Sequence, residues 1–254
     1  MIDIHCHILP GIDDGPATID KSLSMAREAV KEGIKTIIAT PHHRNNMFDN
    51  TKREIVKHVD NFNSLLEKEN IPLTILPGQE NRIYGEIIDD YNKGEILTLS
   101  NTNYLFIEFP SSVVPRYTDR LLYDIQLEGL TPIIVHPERN KELLDKPEIL
   151  YNLVKNGALT QVTAASVAGY FGKSVQKFSK QLIEYNLTHF IASDAHNTNT
   201  RSFKMKTAYE LIKDQYGMEY VYLFLDNSEK LLGNENIYKE IPEPIKKRKL
   251  FGIF

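Results

Sequence analysis

Two histidines that alternate along the chain follow a short apolar segment at residues 2–4. Side chains two residues apart on an extended strand share one face, so His5 and His7 can converge on the same metal ion. Near the other end of the sequence, a second apolar run ends in Asp194 and His196, which also alternate. This spacing predicts a metal site built from both ends of the chain.

An isolated His-x-His pair also has a plainer interpretation. One histidine can simply cap the strand while the other is solvated, and a motif this short occurs often without any metal. The choice between the two interpretations depends on whether further ligand-type residues converge on His5 and His7.

Length and composition are those of an ordinary globular protein. The 254 residues are 25% charged and 41% hydrophobic, and one α/β barrel domain of this length is common. No apolar run approaches the roughly 18 residues of a membrane span, and the N-terminus does not resemble a secretory signal. The single cysteine excludes an internal disulfide and suits a reducing compartment. We therefore expect a cytoplasmic protein.

The formal net charge of -4 is unevenly distributed. Residues 246–249 are four consecutive cations, so the rest of the chain is more acidic still, and nucleic acid is not an expected partner. We expect one domain over residues 1–245 and a tail over residues 246–254, basic at first and then apolar. The tail is compatible with packing on its own domain and equally with contact to a partner, a second subunit or an anionic membrane surface.

Apolar β-rich runs alternate with helical patterns along the whole sequence. Helices are expected near residues 20–33, 51–68, 117–128, 147–156 and 174–186, with more at the C-terminal end, and Asp20 is the expected N-cap of the first. Strands are predicted at residues 2–4, 36–40, 73–76, 104–109, 131–136, 159–163 and 188–194. This alternation favours an α/β fold, either a parallel barrel or a doubly wound sheet.

Ligand-type side chains recur where the predicted strands end. Because the carboxyl ends of parallel barrel strands form one face, residues distant in sequence meet there. The first βα loop adds the neighbouring carboxylates Asp13 and Asp14, of which a turn needs only one. This distribution favours the metal interpretation. The residues at strand ends are His42, Glu80, Glu108, His136, Asp194 and His196.

Together these motifs resemble the polymerase and histidinol phosphatase (PHP) family. Within that family the chain is similar to the manganese-dependent tyrosine-protein phosphatases of Gram-positive capsule and exopolysaccharide operons, and the resemblance covers essentially the whole chain. It rests on His5-Cys6-His7, Thr40-Pro41-His42, Gly78-Gln79-Glu80, Ile107-Glu108-Phe109, His136-Pro137-Glu138-Arg139 and Ser193-Asp194-Ala195-His196.

The resemblance implies a single-domain, distorted (β/α)7 parallel barrel with three divalent metal ions at its carboxyl face. Manganese is implied by the resemblance alone, because imidazole and carboxylate ligands suit Mn, Fe and Zn alike. The choice of Asp14 over Asp13 rests on the same resemblance. The implied ligand sets are His5, His7, Glu80 and Asp194; Glu80, Glu108 and His136; and Asp14, His42 and His196.

The implied reaction is hydrolysis of phosphotyrosine. Metal ions about 3.5–4 Å apart neutralise a phosphate dianion and lower the pKa of water between them, and we hypothesise that a metal-bridging hydroxide attacks phosphorus. Arg139 and Arg201 are the predicted phosphate-binding cations, because the guanidinium fork matches phosphate oxygens. Arg44 and Arg116 are weaker candidates. The alternative for each is a surface arginine with a modest ion pair.

A cysteine-dependent mechanism is disfavoured. Cysteine-based tyrosine phosphatases use a C-x5-R phosphate loop, and the position that would carry arginine here is Ile12. We expect Cys6 to pack in the core, on the side of the strand opposite the histidines.

The resemblance implies that the partner is a phosphorylated bacterial tyrosine autokinase with a tyrosine-rich tail. Two other functions stay open on the sequence alone. One is a PHP phosphoesterase for a small phosphate monoester such as histidinol phosphate. The other is a non-catalytic, metal-dependent regulator, against which the complete ligand motifs argue. The sequence does not fix the oligomeric state.

Overall fold

Parallel strands and helices alternate through residues 1–245, which are the residues that the computed structural model describes. The predicted tail, residues 246–254, lies outside the described residues, and the division at residue 245 stays a prediction. The described strands are β1 Ile2–Cys6, β2 Thr36–Ala39, β3 His42–His43, β4 Thr74–Pro77, β5 Glu80–Arg82, β6 Tyr104–Glu108, β7 Thr131–Val135, β8 Leu159–Thr163 and β9 Phe190–Ala192. The described helices are α1 Ile19–Lys31, α2 Lys52–Lys68, α3 Ile87–Asn92, α4 Thr118–Leu127, α5 Lys141–Asp145, α6 Pro147–Lys155, α7 Ala164–Val167, α8 Lys173–Glu184, α9 Met205–Tyr216 and α10 Met218–Leu232.

Two short strands that were not predicted, β3 and β5, follow β2 and β4. β2 and β3 are separated at Thr40 and Pro41, and β4 and β5 are separated at Gly78 and Gln79. Proline has no N–H to donate to a ladder. A Cβ at Gly78 would lie 2.6 Å from Ile38 Cγ2, so no larger residue fits there without movement. The described residues therefore form nine strands where seven were predicted, and the two additional strands begin with His42 and Glu80.

The strands form two sheets that adjoin at β1 and β9. One sheet has the order β1-β2-β4 and the other β3-β5-β6-β7-β8-β9, with every pair parallel. Cys6 and Ala195 form an isolated parallel bridge, and the amide of Asp194 donates to the carbonyl of His5 at 2.9 Å. This seam closes the ring, and the predicted parallel α/β barrel in a single domain is confirmed.

The first helix begins two residues earlier than predicted. Thr18, not Asp20, is the N-cap of α1, and its hydroxyl accepts a hydrogen bond from the amide of Lys21. Asp20 lies in the first turn, where its carboxylate faces the positive end of the helix dipole. The predicted start of α2 is confirmed, because Thr51 and Glu54 form a capping box there. Across the described residues, no helix combines the length and the apolar character that crossing a membrane requires.

Large apolar side chains fill the barrel interior below the carboxyl face. Ile4, Ile38, Phe106, Ile133 and Phe190 are fully buried members of one cluster. The ring centroid of Phe106 lies 5.0 Å from that of His5, so the interior packs directly against the predicted metal ligands. Cys6 is fully buried in the surrounding core cluster, as expected.

Phe106→Ala is expected to lower the free energy of unfolding by about 3–5 kcal/mol, because it leaves a cavity in the barrel interior. Urea unfolding of the metal-free protein, followed by circular dichroism, measures the effect. Tyr222→Ala is the control, because that ring is 64% exposed and its loss is expected to change stability by no more than about 0.5 kcal/mol. Equal stability of the two variants would contradict the assigned packing.

Candidate metal centre

All nine predicted metal ligands lie together at the carboxyl face of the barrel. His5 lies in β1 and His7 directly follows that strand. The short strands β3 and β5 begin with His42 and Glu80. Seven of the nine are buried, His136 is half-buried and Asp14 is exposed. The remaining members of the set end a strand, follow one or lie in the first loop: Asp14, Glu108, His136, Asp194 and His196.

The first implied ligand set converges around the two early histidines. His5 Nε2 lies 3.6 Å from Glu80 Oε1 and 3.5 Å from Asp194 Oδ1. His7 Nε2 lies 3.3 Å from Glu80 Oε2 and 3.4 Å from the same Asp194 oxygen. The structure therefore brings the four side chains of this set into one cluster, with Glu80 on one side and Asp194 on the other.

Glu80 also faces the second implied set, but with a different grouping. His136 Nε2 lies 2.7 Å from Glu80 Oε1, while His42 Nδ1 lies 2.8 Å from Glu80 Oε2 and 3.7 Å from Glu108 Oε2. Potential ligand atoms of His42, Glu80 and Glu108 all lie within 4.8 Å of one another. His42 thus stands beside Glu108, where the family pattern places His136.

The third implied set gathers around Asp14. Its Oδ1 lies 3.4 Å from His42 Nε2 and 3.1 Å from His196 Nε2. His7 joins this group, because its ring stacks on His196 with centroids 3.8 Å apart. The structure also separates the two carboxylates of the first loop: Asp14 faces this set, whereas Asp13 Oδ2 lies 2.7 Å from Nδ1, on the outer edge of the His7 ring.

Several buried nitrogen and oxygen atoms of these side chains have no hydrogen-bond partner. A buried donor or acceptor without a partner costs about 1–3 kcal/mol, so a cluster of such nitrogen and oxygen atoms indicates a place where a cation can bind. Imidazole nitrogens and carboxylate oxygens, without thiolate, suit Mn, Fe or Zn. The residues therefore fit a metal centre. Within the described part of the chain, the buried atoms without a hydrogen-bond partner include His5 Nε2, His7 Nε2, His42 Nδ1, Glu80 Oε2, Glu108 Oε2 and His196 Nε2.

Burial and charge set the protonation of the surrounding groups. Burial, with the positive charge of Arg139, lowers the pKa of His136 to about 3, so that ring is neutral at pH 7 and able to bind metal. Burial and the Glu80 carboxylate raise the pKa of Glu108 to about 7. Burial alone would raise the pKa of Asp194, but the Arg139 and His196 charges hold it well below its ordinary value.

Two of the nine residues have unusual backbone conformations. His136 has φ 35° and Asp194 has φ 51°, both in the left-handed region that non-glycine residues rarely adopt. Such conformations cost about 1–3 kcal/mol and persist where the surroundings fix them. Asp3 fixes the turn at Asp194, because its carboxylate accepts from the amide of Ser193 at 2.9 Å and from the Ser193 hydroxyl at 2.5 Å.

The two predicted arginines both reach the centre. Arg139 donates to Asp194 Oδ2 at 2.5 Å, and Arg201 donates to the same oxygen at 3.1 Å and to Asp14 Oδ2 at 3.2 Å. Both line a cavity of about 240 Å³ together with His42 and other members of the cluster. The weaker candidate Arg44 instead pairs with Asp90 and does not line that cavity.

Two residues that contact the cluster, Arg82 and Gln161, and the contact made by a third, Asp13, were not predicted from the sequence. Arg82 Nη2 lies 3.2 Å from Glu108 Oε2, a contact that was foreseeable because Arg82 and Glu80 alternate on one strand. Gln161 and Asp13 contact the outer edges of His5 and His7. For Gln161 no local signal was available, because its partner lies 156 residues away.

A family model for capsular polysaccharide synthesis proteins, CpsB/CapC, matches residues 1–233 of this chain. The chain belongs to the CpsB/CapC family. This CpsB/CapC protein is 50% identical over all 254 residues to the tyrosine-protein phosphatase YwqE of Bacillus subtilis, and each chain is covered completely. It is 39% identical, again over the full length of both chains, to the putative tyrosine-protein phosphatase CapC of Staphylococcus aureus.

A solved structure extends the similarity to three dimensions. It comes from work on YwqE from Bacillus subtilis and CpsB from Streptococcus pneumoniae, described as unique metal-dependent tyrosine phosphatases. The CpsB/CapC protein superposes on it with a TM-score of 0.95 and 49% sequence identity, over 97% of this chain and 100% of the other. The resemblance to capsule-operon phosphatases drawn from the motifs is thereby confirmed.

Proposed function

We propose that this CpsB/CapC protein is a metal-dependent protein-tyrosine phosphatase. The observation that carries the proposal is the cavity in which Arg139 and Arg201 stand beside the cluster of imidazoles and carboxylates. Hydrolysis of a phosphate monoester is favoured by both kinds of cation. Guanidinium groups bind the phosphate oxygens, and metal ions neutralise the negative charge. The names of relatives that match over the full length of the chain support the same reaction.

The proposed cofactor is a set of three divalent ions, with manganese first and Fe or Zn as the other candidates. The ligands we propose are the nine residues of the cluster, with Glu80 shared between sites because it contacts His5, His7, His42 and His136. When bound, such ions polarise the phosphoryl group and activate water. Binding also requires His42 to lose a proton: burial lowers its pKa, but Glu80 and Asp14 together raise it to about 10.

The two arginines are proposed to bind and orient the phosphoryl group. Their side chains are 23% and 30% exposed, so Arg139 and Arg201 are accessible from the cavity although both are anchored. Arg139 donates a hydrogen bond to Asp194, and its guanidinium lies 5.4 Å from the centroid of the Phe171 ring. A fixed guanidinium loses less freedom on binding phosphate than a mobile one.

Preference for tyrosyl phosphate follows from the leaving group. A phenol has a pKa of about 10, so its departure depends less on a general acid than that of an alkyl alcohol. Both arginines that line the cavity are partly exposed, which suits a phosphotyrosine carried on a flexible segment. We propose as the physiological substrate a phosphorylated bacterial tyrosine autokinase with a tyrosine-rich tail, which regulates polysaccharide synthesis. We also propose a cytoplasmic location, which the single, unpaired Cys6 supports.

Removal of metal is expected to abolish hydrolysis of a phosphotyrosine peptide, and Mn²⁺ is expected to restore it best. Purified protein is stripped with a chelator, its metal content is measured by mass spectrometry, and activity is followed after addition of Mn²⁺, Fe²⁺, Zn²⁺ or Mg²⁺. Losing several kcal/mol of electrostatic stabilisation corresponds to a loss of roughly a thousandfold or more.

The same preparations are assayed with phosphoserine peptide and histidinol phosphate. Faster turnover of histidinol phosphate than of phosphotyrosine would overturn the tyrosine phosphatase assignment in favour of a small-molecule phosphoesterase. Metal binding without hydrolysis of any of these esters would favour a non-catalytic regulator. Full activity of the stripped protein would contradict metal dependence.

A further inference from the structure

We propose that Asp13 and Gln161 are positioning residues, which fix the ring orientation and tautomer of His7 and His5 so that both Nε2 atoms face the metal centre. The inference rests on the proposed metal centre and concerns neither the ligands themselves nor the phosphate-binding arginines. Its evidence is a pair of buried contacts on the outer edge of the cluster.

Both carboxylate oxygens of Asp13 have hydrogen-bond partners, which fix the side chain within the first loop. Its Oδ2 lies 2.7 Å from His7 Nδ1, its Oδ1 accepts from the amide of Gly15 at 2.9 Å, and its side chain is 1% exposed. A Cβ at Gly15 would lie 2.2 Å from the carbonyl oxygen of His7, so the loop closes directly over that residue. The carboxylate is therefore not free to turn towards the metal cluster, unlike its neighbour Asp14.

Gln161 makes the corresponding contact with His5 from β8, which is separated from β1 by β9 alone. It lies on β8 and is fully buried, and its Oε1 is 2.9 Å from His5 Nδ1. Its main-chain carbonyl accepts from the amide of His136 at 2.8 Å. One residue thus links two members of the cluster, His5 through its side chain and His136 through its backbone.

An acceptor at Nδ1 determines which nitrogen is available for metal. A neutral imidazole has one N–H, and an oxygen that accepts from Nδ1 leaves the lone pair on Nε2. The Nε2 atoms of His5 and His7 are both buried without a hydrogen-bond partner in the described residues. If the Gln161 amide were turned round, its NH2 group would face Nδ1 and favour the wrong tautomer.

The two contacts differ in charge, and this predicts unequal effects. A carboxylate that accepts from a metal-binding histidine raises the basicity of the ring, whereas a neutral amide mainly orients it. Loss of Asp13 should therefore weaken metal binding more than loss of Gln161. His196 provides an internal reference, because its Nδ1 lies 2.9 Å from the main-chain oxygen of Asp194, a contact that no side-chain substitution removes directly.

Nitrogen NMR tests the tautomers directly. In full-length protein labelled with 15N-histidine and loaded with Zn²⁺, we expect His5 and His7 to carry hydrogen on Nδ1 and to bind zinc through Nε2. Hydrogen on Nε2 of either ring would overturn the assignment for that residue. This readout uses the wild-type chain, so it does not depend on whether a variant folds.

Metal affinity tests the energetic role. Asp13→Ala and Gln161→Met are expected to raise the Zn²⁺ dissociation constant about 10- to 100-fold in chelator competition, Asp13→Ala more, whereas Gln161→Glu keeps an acceptor and should retain near-wild-type affinity. The control is Asn227→Leu, which removes a buried amide that donates to the main-chain oxygens of His189 and Tyr238. Unchanged affinity in the first two variants, or an equal loss in the control, would overturn the proposal.

The same wild-type preparation, reloaded with Mn²⁺, is assayed for phosphotyrosine hydrolysis. A sample with the expected tautomers and affinities that hydrolyses no phosphotyrosine would contradict the proposed function and leave this inference standing. An active sample with the wrong tautomers would contradict this inference alone.

Discussion

Glu80→Gln is expected to lower kcat/KM for a phosphotyrosine peptide by roughly a thousandfold or more, because metal ions contribute several kcal/mol to such reactions and each 1.4 kcal/mol corresponds to about tenfold. No other carboxylate in the cluster contacts as many of its histidines: Glu80 lies within 4 Å of His5, His7, His42 and His136. An amide keeps the shape of the side chain but loses the charge and one acceptor oxygen.

Metal content and activity of Glu80→Gln are measured on the same sample. We expect both to fall, and circular dichroism should show an intact fold. The control is Glu69→Gln, which alters an exposed glutamate that pairs with Arg27 on the outer helices and should leave both quantities unchanged. A Glu80→Gln enzyme with full metal content and full activity would contradict the central position assigned to this residue.

Arg139→Ala is expected to lower kcat/KM about 100- to 1,000-fold while metal content stays unchanged. The magnitude is that of removing one preorganised donor from a developing negative charge. Arg139 lines the cavity and its guanidinium is anchored on Asp194, so its loss removes a phosphate-binding group and leaves the proposed metal ligands in place.

Steady-state kinetics and metal analysis of Arg139→Ala separate two roles. Arg139→Lys should recover only part of the activity, because an ammonium lacks the bidentate fork. Arg120→Ala is the matched control, since Arg120 is an exposed arginine that pairs with Asp124 on α4. Parallel loss of metal and activity in Arg139→Ala would show that the arginine orients Asp194 rather than binding phosphate.

The barrel and the composition of the cluster were predictable because they depend on local patterns. Strand alternation is visible in the sequence, and the carboxyl ends of parallel strands meet regardless of what connects them. Thus His5, Glu108 and Asp194 could be placed at one face from their positions after apolar runs. The same reasoning found Arg139 and Arg201 because each follows a strand-end histidine closely.

The short strands β3 and β5 were not predictable from periodicity. The predicted strands end at residues 40 and 76, and only the structure shows that strand pairing resumes at His42 and Glu80. The left-handed backbones of His136 and Asp194 were equally hidden, because non-glycine residues adopt this conformation only where tertiary contacts enforce it. These departures from regular geometry occur at the proposed metal ligands themselves.

The roles of neighbouring side chains were not predictable from local sequence either. The two carboxylates of the first loop are neighbours in sequence, yet Asp14 faces His42 and His196, whereas Asp13 contacts the outer edge of the His7 ring. Nothing local distinguishes them, because the difference depends on where His7 and His196 lie after folding. The sequence therefore predicted which residue types form the centre, but not which contacts each residue makes there.

The seam between β1 and the segment after β9 has a consequence for how the protein matures. The contact of Cys6 with Ala195 joins positions 189 residues apart, and closing so long a loop is entropically costly and slow. His5 and His7 are synthesised long before Asp194, and the three side chains can meet only after the intervening strands have been made. The first ligand set is therefore complete only late in folding, and ions bound there would hold β1 to the segment after β9.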